Sequence, residues 1–382
     1  MSQLLRFEEQ EQEASLLPSK AAVSLDLTPP VVSPENNPYA QLSCPSDIYD
    51  YLLPDGTPFG LFSDPYGTMV YYEPTVGGRN GMYWLDDRLA DHSFTEREIK
   101  LLEFLSDHRV ATRNQIQRVV FPDNHPTDKV FVNFLKKCRQ RGIICAFSWT
   151  SPIQDDRKKP LVYGLTRAGA DAVNILFHKK LREDFWFHPI VFSHGRGPNM
   201  NTFFLDLVAN ELYAELIRID RLIAWQRRPQ LRLSNSTFFY PAASFEVIKE
   251  AGSFKLFWLE TIRPGQDWVN RTKKRFQQIQ DAFELLQEYQ RPVRLIAVVD
   301  GESRIPFIAK LAELYMPHLE VRFTTDERLL QGLSKETFIQ WIKDEEKYKV
   351  SSIPFLQADH TGMTASEYFS QQSLNVEDEF DE

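Results

Sequence analysis

The stretch from Phe94 to Thr166 constrains this chain more than any other part of it. Thr95-x-x-Glu98 is a capping box, in which the Thr hydroxyl accepts from the third backbone N–H of a helix and the Glu side chain reaches back to the cap. Ile99, Leu102 and Leu105 follow at helical spacing. Thr112-x-x-Gln115 repeats the device, with Ile116, Val119 and Val120 on one face. It stops at Phe121-Pro122, because a residue before proline is pushed out of the helical region. A third helix opens near Thr127, turns Val130, Phe131, Phe134, Leu135 and Cys138 inward, and ends at Gly142, a residue that tolerates the left-handed conformation of a C-terminal cap. Residues 143–149 then read as a strand, 151–160 as a polar tip and 161–165 as the returning strand, after which Thr166 caps a helix over 167–177. Three short helices and a hairpin in this order predict a winged helix.

The third helix turns Lys129, Asn133, Lys136, Lys137, Arg139, Gln140 and Arg141 outward, and the tip of the hairpin carries Arg157, Lys158 and Lys159. A recognition helix in the major groove and a wing on a neighbouring backbone need these residue types at these places. A solvated helix face is also rich in Lys and Arg. The coincidence of a basic helix with a basic tip favours double-stranded DNA as the partner. The formal net charge of −9 argues the other way until it is divided along the chain. Residues 1–93 carry −10 and 351–382 carry −7, whereas 94–178 carry +5 and 179–350 carry +3. A basic core thus lies between acidic ends, which are expected to compete with non-specific DNA for that core.

Outside 94–178 the sequence divides by texture. Residues 1–45, with six prolines, read as a flexible acidic arm with a short helix near 3–17. Residues 46–93 alternate short aromatic runs (59–62, 69–72, 82–85) with Asp-Gly, Gly-Gly and Asn-Gly pairs and predict a small β-rich unit. Residues 179–349 read as an α/β domain: a long helix near 197–217, strands at 222–226, 236–240, 244–248 and 255–260, a basic helix over 269–289, a strand at 294–299, a helix at 306–315 and a strand at 321–323. The acidic segment 350–382 reads as disordered. The fold class expected is therefore α+β. The first residues lack the apolar core of an export signal, no window could span a membrane, and Cys44, Cys138 and Cys145 form no CxxC pair. A cytoplasmic protein is expected, with the oligomeric state left open.

The order of the second domain, in which a strand ending in Glu260 is followed by helix, strand, helix and strand, is that of a restriction-endonuclease-like core. Beyond that order, the chain resembles the replication-relaxation family of plasmids and integrative elements of Gram-positive bacteria. The resemblance rests on YGLTRAGADAV (163–173), GPNMNTFFLDLVANELYAEL (197–216), AWQRRPQLRL (224–233), PAASFEVI (241–248), LFWLETIRPGQDWVNRTKKRFQQI (256–279) and RPVRLIAVVDGESR (291–304). It implies a winged-helix half joined to an endonuclease-like half, acting in replication or DNA relaxation. Family members carry Pro-Asp-Ala where this chain has Pro241-Ala242-Ala243, and Glu-Val-Asp-Arg-Gly-Thr-Glu where it has Glu260 to Gln266. Glu260 alone keeps its carboxylate; Ala242, Ile262 and Gln266 replace the others, and no Lys stands two positions after Glu260. A degenerate, inactive nuclease centre with no cofactor follows, in which Glu260, Arg263 and the cluster of Arg271, Lys273, Lys274 and Arg275 form a buried pair and a backbone-binding surface.

Two alternatives stay open on the residues. One is a Mg²⁺-dependent nicking enzyme with Glu246, Glu260 and Asp267 as ligands. The other is an adaptor for a helicase, a conjugation ATPase or other replication proteins of the same element. The glycine pairs match no phosphate-binding loop, and the closest histidines, His188 and His194, lack the spacing of a histidine-clustered relaxase.

Overall fold

The computed structural model describes residues 27–72, 81–153, 157–188, 195–342, 345 and 347–380. They form a mixed α+β fold of two units. The first comprises Asn37–Ile48 and Pro58–Ile219. Its elements are β1 (Thr68–Tyr72), α1 (Gly81–Ala90), α2 (Glu96–His108), β2 (Val110–Thr112), α3 (Arg113–Val120), α4 (Lys129–Gln140), β3 (Ile144–Thr150), β4 (Val162–Thr166), α5 (Arg167–Phe177), β5 (Trp186–Phe187) and α6 (Asn201–Arg218). Both capping boxes form with both of their hydrogen bonds. The sheet runs β1-β3-β4-β2, with β5 added parallel to β4. Val110 to Thr112 pair with Gly164 to Val162, so the short strand between α2 and α3 closes the far side of the β3–β4 hairpin. Leu101, Leu105, Ile116, Phe131, Leu135, Ile144, Leu165 and Val173 pack under it as one core. Gly169 is required there, because a Cβ at that position would lie 2.3 Å from the carbonyl oxygen of Ile143.

Three sequence expectations change in this unit. The described residues of 46–93 form no separate β-rich unit: β1 joins β3 edge to edge, and the aromatic run 82–85 lies within α1, where Trp84 and Leu85 pack into the helical core. Of the arm expected over 1–45, the described part is built in. Tyr39 is buried, stacks on Phe59 and accepts the Phe59 N–H, and Val32 is buried in the other unit. The helix expected near 3–17 lies outside the described residues. Finally, α6 belongs with the helices before it, not with the α/β domain, so the first unit runs to Ile219 and not to 178. The reason is a set of buried polar contacts described below.

The second unit comprises described residues up to Asn36, Tyr49–Thr57 and the chain from Asp220 onward. Its elements are β6 (Leu222–Arg227), β7 (Leu231–Arg232), β8 (Phe238–Phe239), β9 (Ala243–Glu250), β10 (Ser253–Ile262), α7 (Trp268–Leu285), β11 (Arg294–Val299), α8 (Ile305–Tyr315), β12 (Val321–Thr325), α9 (Asp326–Leu330), β13 (Ile339–Ile342), β14 (Lys347–Val350) and α10 (Ala365–Phe380). Seven strands make one sheet in the order β14-β13-β12-β11-β10-β9-β6. The middle strands β10, β11 and β12 are parallel, and their crossovers contain α7 and α8. Crossovers of one hand, stepping the same way along the sheet, put both helices on one face. Trp258, Phe276, Ile279, Leu295, Ala297, Ile308 and Leu311 fill the layer between. The edge pair β13 and β14 went unread in the sequence.

The segment 350–382 is expected from its composition to be disordered, yet its described residues are anchored on the second unit. Ile353, Phe355 and Leu356 are buried, with Phe355 6.2 Å from Phe257. Arg221, 2% exposed, donates to the carbonyl oxygens of His360 (2.7 Å) and Met363, and Asp220 accepts from Ser366 Oγ at 2.9 Å. A polar composition hid the few apolar anchors that hold this segment down. The three cysteines are free, and among the described residues no helix is long and apolar enough to cross a membrane.

Candidate nucleic-acid interface

Helix α4 starts where Asp128 accepts the Val130 N–H at 2.7 Å, and the chain leaves it through Gly142 at φ +73°. Phe131, Leu135 and Cys138 recur at spacings of four and three and are buried. Lys129, Asn133, Lys136, Lys137 and Gln140 occupy the opposite side, all exposed, with no ion pair or hydrogen bond from their side chains among the described residues. Five donor-rich side chains thus share one open face of a helix, as the sequence predicted. Arg141 does not join them. Its guanidinium lies 3.6 Å from Glu98 and 6.0 Å from the Trp84 ring, where Arg88 also reaches Glu98. Val130, expected in the core, is 56% exposed, because the buried stripe begins one residue later. At the hairpin tip Arg157 and Lys158 are exposed and Lys159 is half-buried; residues 154–156 lie outside the described set.

A polar seam joins α6 to α2 and α3. His108 Nδ1 lies 2.6 Å from Asn210 Oδ1, and Asn210 Nδ2 donates to the carbonyl oxygen of Val110 at 2.5 Å. Gln115 Nε2 donates to Leu207 O and Glu211 Oε2, both at 2.8 Å. Arg118 reaches Glu211 and Glu215 at 2.5 Å each, and Arg109 pairs with Asp206 while lying 4.7 Å over the Phe203 ring. Burial alone would push the Glu215 carboxyl up, but Arg218 and Arg118 outweigh it and hold it below the usual carboxylate range. Burial likewise opposes the charge on Arg118, and Glu211 and Glu215 outweigh it. Sequence reasoning found none of this seam, although polar positions 206, 210, 211 and 215 recur at helical spacing on an otherwise apolar helix.

In the second unit Glu260 is 7% exposed. Its Oε1 accepts from the backbone N–H of Ala242 at 3.1 Å and from Arg275 Nη2. Arg275 also donates to the carbonyl oxygen of Tyr240 at 2.7 Å and lies 4.8 Å over the Phe239 ring. Arg275 is therefore turned toward Glu260, not wholly outward as the sequence suggested, while Arg271 and Lys274 are exposed and Lys273 is half-buried. The strand register tests the ligand set of a metal-dependent alternative. Glu246 faces Leu256, four residues before Glu260 and so about 13 Å along the strand. Asp267 is exposed and accepts from Asn270. Among the described residues no three His, Cys, Asp or Glu side chains gather. The residues around Glu260 do not fit a divalent ion.

At the carboxyl ends of the parallel strands, Ile262, Val299 and Thr325 align, which brings Arg263, Asp300 and Asp326 side by side. Asp326 is fully buried and pairs with Arg263, while Asp300 accepts from Arg304 at 2.9 Å. Burial raises the Asp326 carboxyl to about 7 against the pull of Arg263.

Residues 102–273 match the replication-relaxation family model. The match supports the family resemblance read from the motifs. No curated protein and no solved structure matches the chain. The replication-relaxation span opens inside α2 and closes within α7, so it takes in α4, the hairpin, α6, Glu260, Arg271 and Lys273 and stops short of Lys274 and Arg275.

Proposed function

We propose that the chain is a DNA-binding protein acting in the replication or relaxation of a plasmid or integrative element, and that α2 to β4 form a winged helix whose α4 reads duplex DNA. The observation that carries this reading is the open face of α4, on which Lys129, Asn133, Lys136, Lys137 and Gln140 stand together without internal partners. In this reading the three lysines bind phosphates, and Asn133 and Gln140 offer the paired donor and acceptor that recognise adenine in the major groove. Arg157, Lys158 and Lys159 lie on a neighbouring backbone, and Arg141 acts as a brace for α2. The replication-relaxation match supports the setting, and the reading places the protein in the cytoplasm without a catalytic step.

The test is a mobility-shift titration on the origin region of the element that encodes the protein, at several salt concentrations. Replacing Lys129, Lys136 and Lys137 by Ala is expected to flatten the logarithmic salt dependence by about three, since each phosphate contact contributes a slope of about −0.9. Asn133→Ala is expected to cost about 1–3 kcal/mol on the preferred site and little on random DNA. Identical shifts for wild type and the triple variant, or no shift at low salt, would sink the reading.

A further inference from the structure

The Glu260 centre holds a feature that the α4 reading does not use. Arg275 spends only Nη2 on Glu260 and Tyr240; Nε and Nη1 carry no hydrogen bond among the described residues, and 29% of the side chain is exposed. A guanidinium has five N–H donors, so three remain available. The Phe239 ring fixes its plane from one side. One turn earlier on the same face of α7, Arg271 is exposed, its guanidinium so close to Gly265 that a Cβ there would lie 2.6 Å from Nη2. Arg271, Lys273 and Lys274 have no ion pair among the described residues. One carboxylate therefore meets the Arg275 guanidinium, with the unpaired Arg271 one turn away on the same helix face. Such a surplus repels a divalent cation and attracts an anion.

We propose that Glu260 and Arg275 form a metal-independent phosphate site, in which the guanidinium stands against the carboxylate, and that with Arg271 it binds the phosphodiester backbone of DNA. Glu260 orients the guanidinium and limits its affinity, since the carboxylate competes with phosphate for the same charge. This site is independent of α4 and binds without reading sequence.

The test uses the full chain carrying Ala at Lys129, Lys136 and Lys137, so that α4 contributes nothing, and reads fluorescence anisotropy of a labelled duplex of arbitrary sequence with EDTA or with Mg²⁺. Arg271→Gln and Arg275→Lys are each expected to weaken binding by roughly 3- to 10-fold and to reduce the salt slope by about one. Glu260→Gln keeps an acceptor for the Ala242 N–H, removes the competing charge, and is expected to tighten binding several-fold. EDTA is expected to change nothing. Because Arg271 is exposed, Arg271→Gln reports on the site even if variants at Arg275 fold poorly. Binding by Arg271→Gln equal to its parent, or Mg²⁺-dependent binding that Glu260→Gln abolishes, overturns the proposal. A triple lysine variant that binds its origin as tightly as wild type sinks the α4 reading alone.

Discussion

Arg118→Met tests the seam that joins α6 to α3. The guanidinium is 13% exposed and serves two carboxylates, Glu211 and Glu215, that are 6% and 4% exposed. Removing it leaves negative charge in the interior, and breaking a buried pair from one side costs about 3–5 kcal/mol. Glu215 keeps Arg218 and Glu211 keeps Gln115 Nε2, which places the expected loss at the lower end, about 3 kcal/mol. The total stability of a domain is about 5–15 kcal/mol, so α3 and α6 should open far more often. Hydrogen exchange followed by mass spectrometry would show it as roughly 100-fold less protection across residues 113–120 and 201–218. Adding Glu211→Gln should return part of the loss, because the stranded charge is then gone. If Arg118→Met exchanges like wild type, or if the two substitutions add without coupling, the seam does not brace these helices as described.

Other outcomes follow from the same contacts. Asp326 titrates near 7 in the fold against 3.8 for an ordinary carboxyl, so its contribution to stability is complete below about pH 4 and is lost as pH rises through about 7. Asp326→Asn should flatten the fall in melting temperature between about pH 5 and 7.5, and parallel curves for the two proteins would contradict the assignment. Gly169→Ala drives a methyl into the Ile143 carbonyl and should cost about 1–3 kcal/mol, read from urea unfolding; a neutral effect would mean that α5 shifts freely on the hairpin. Truncation after Val350 strips Arg221 of its carbonyl acceptors and uncovers Phe257, so it should lower the melting temperature of the full chain, whereas an unchanged melt would restore the expectation of a disordered tail.

The helices α2, α3 and α4 were legible because their ends are encoded locally, by Thr95 with Glu98, by Thr112 with Gln115 and by the left-handed Gly142. The outward positions of Lys129, Asn133, Lys136, Lys137 and Gln140 followed from periodicity, whereas Arg139 is half-buried and Arg141 turns to Glu98. What stayed hidden depended on partners distant in sequence. Nothing around Asn210 or Glu211 announces that they meet His108, Gln115 and Arg118 about a hundred residues earlier, so α6 was assigned to the wrong unit. Arg141 and Arg275 look like any surface arginine until Glu98 and Glu260 are seen beside them. Residues 82–85 suggest a β-rich unit because a short aromatic run has no period long enough to separate strand from helix.

The way the chain is shared between the two units has a consequence for synthesis. Residues 49–57 belong with a sheet whose strands begin only at Leu222, and Arg304 holds them through the carbonyl oxygens of Tyr51 and Leu52. On the ribosome this segment waits, without its partners, while the rest of the first unit is made. Neither unit can therefore be released by a single cut, and domains usually fold as separate units in the order they are made only where the chain finishes one before starting the next. A nascent chain whose first unit has emerged while the second is incomplete should carry an undocked loop at 49–57, a transient handle for chaperones that the finished protein no longer displays.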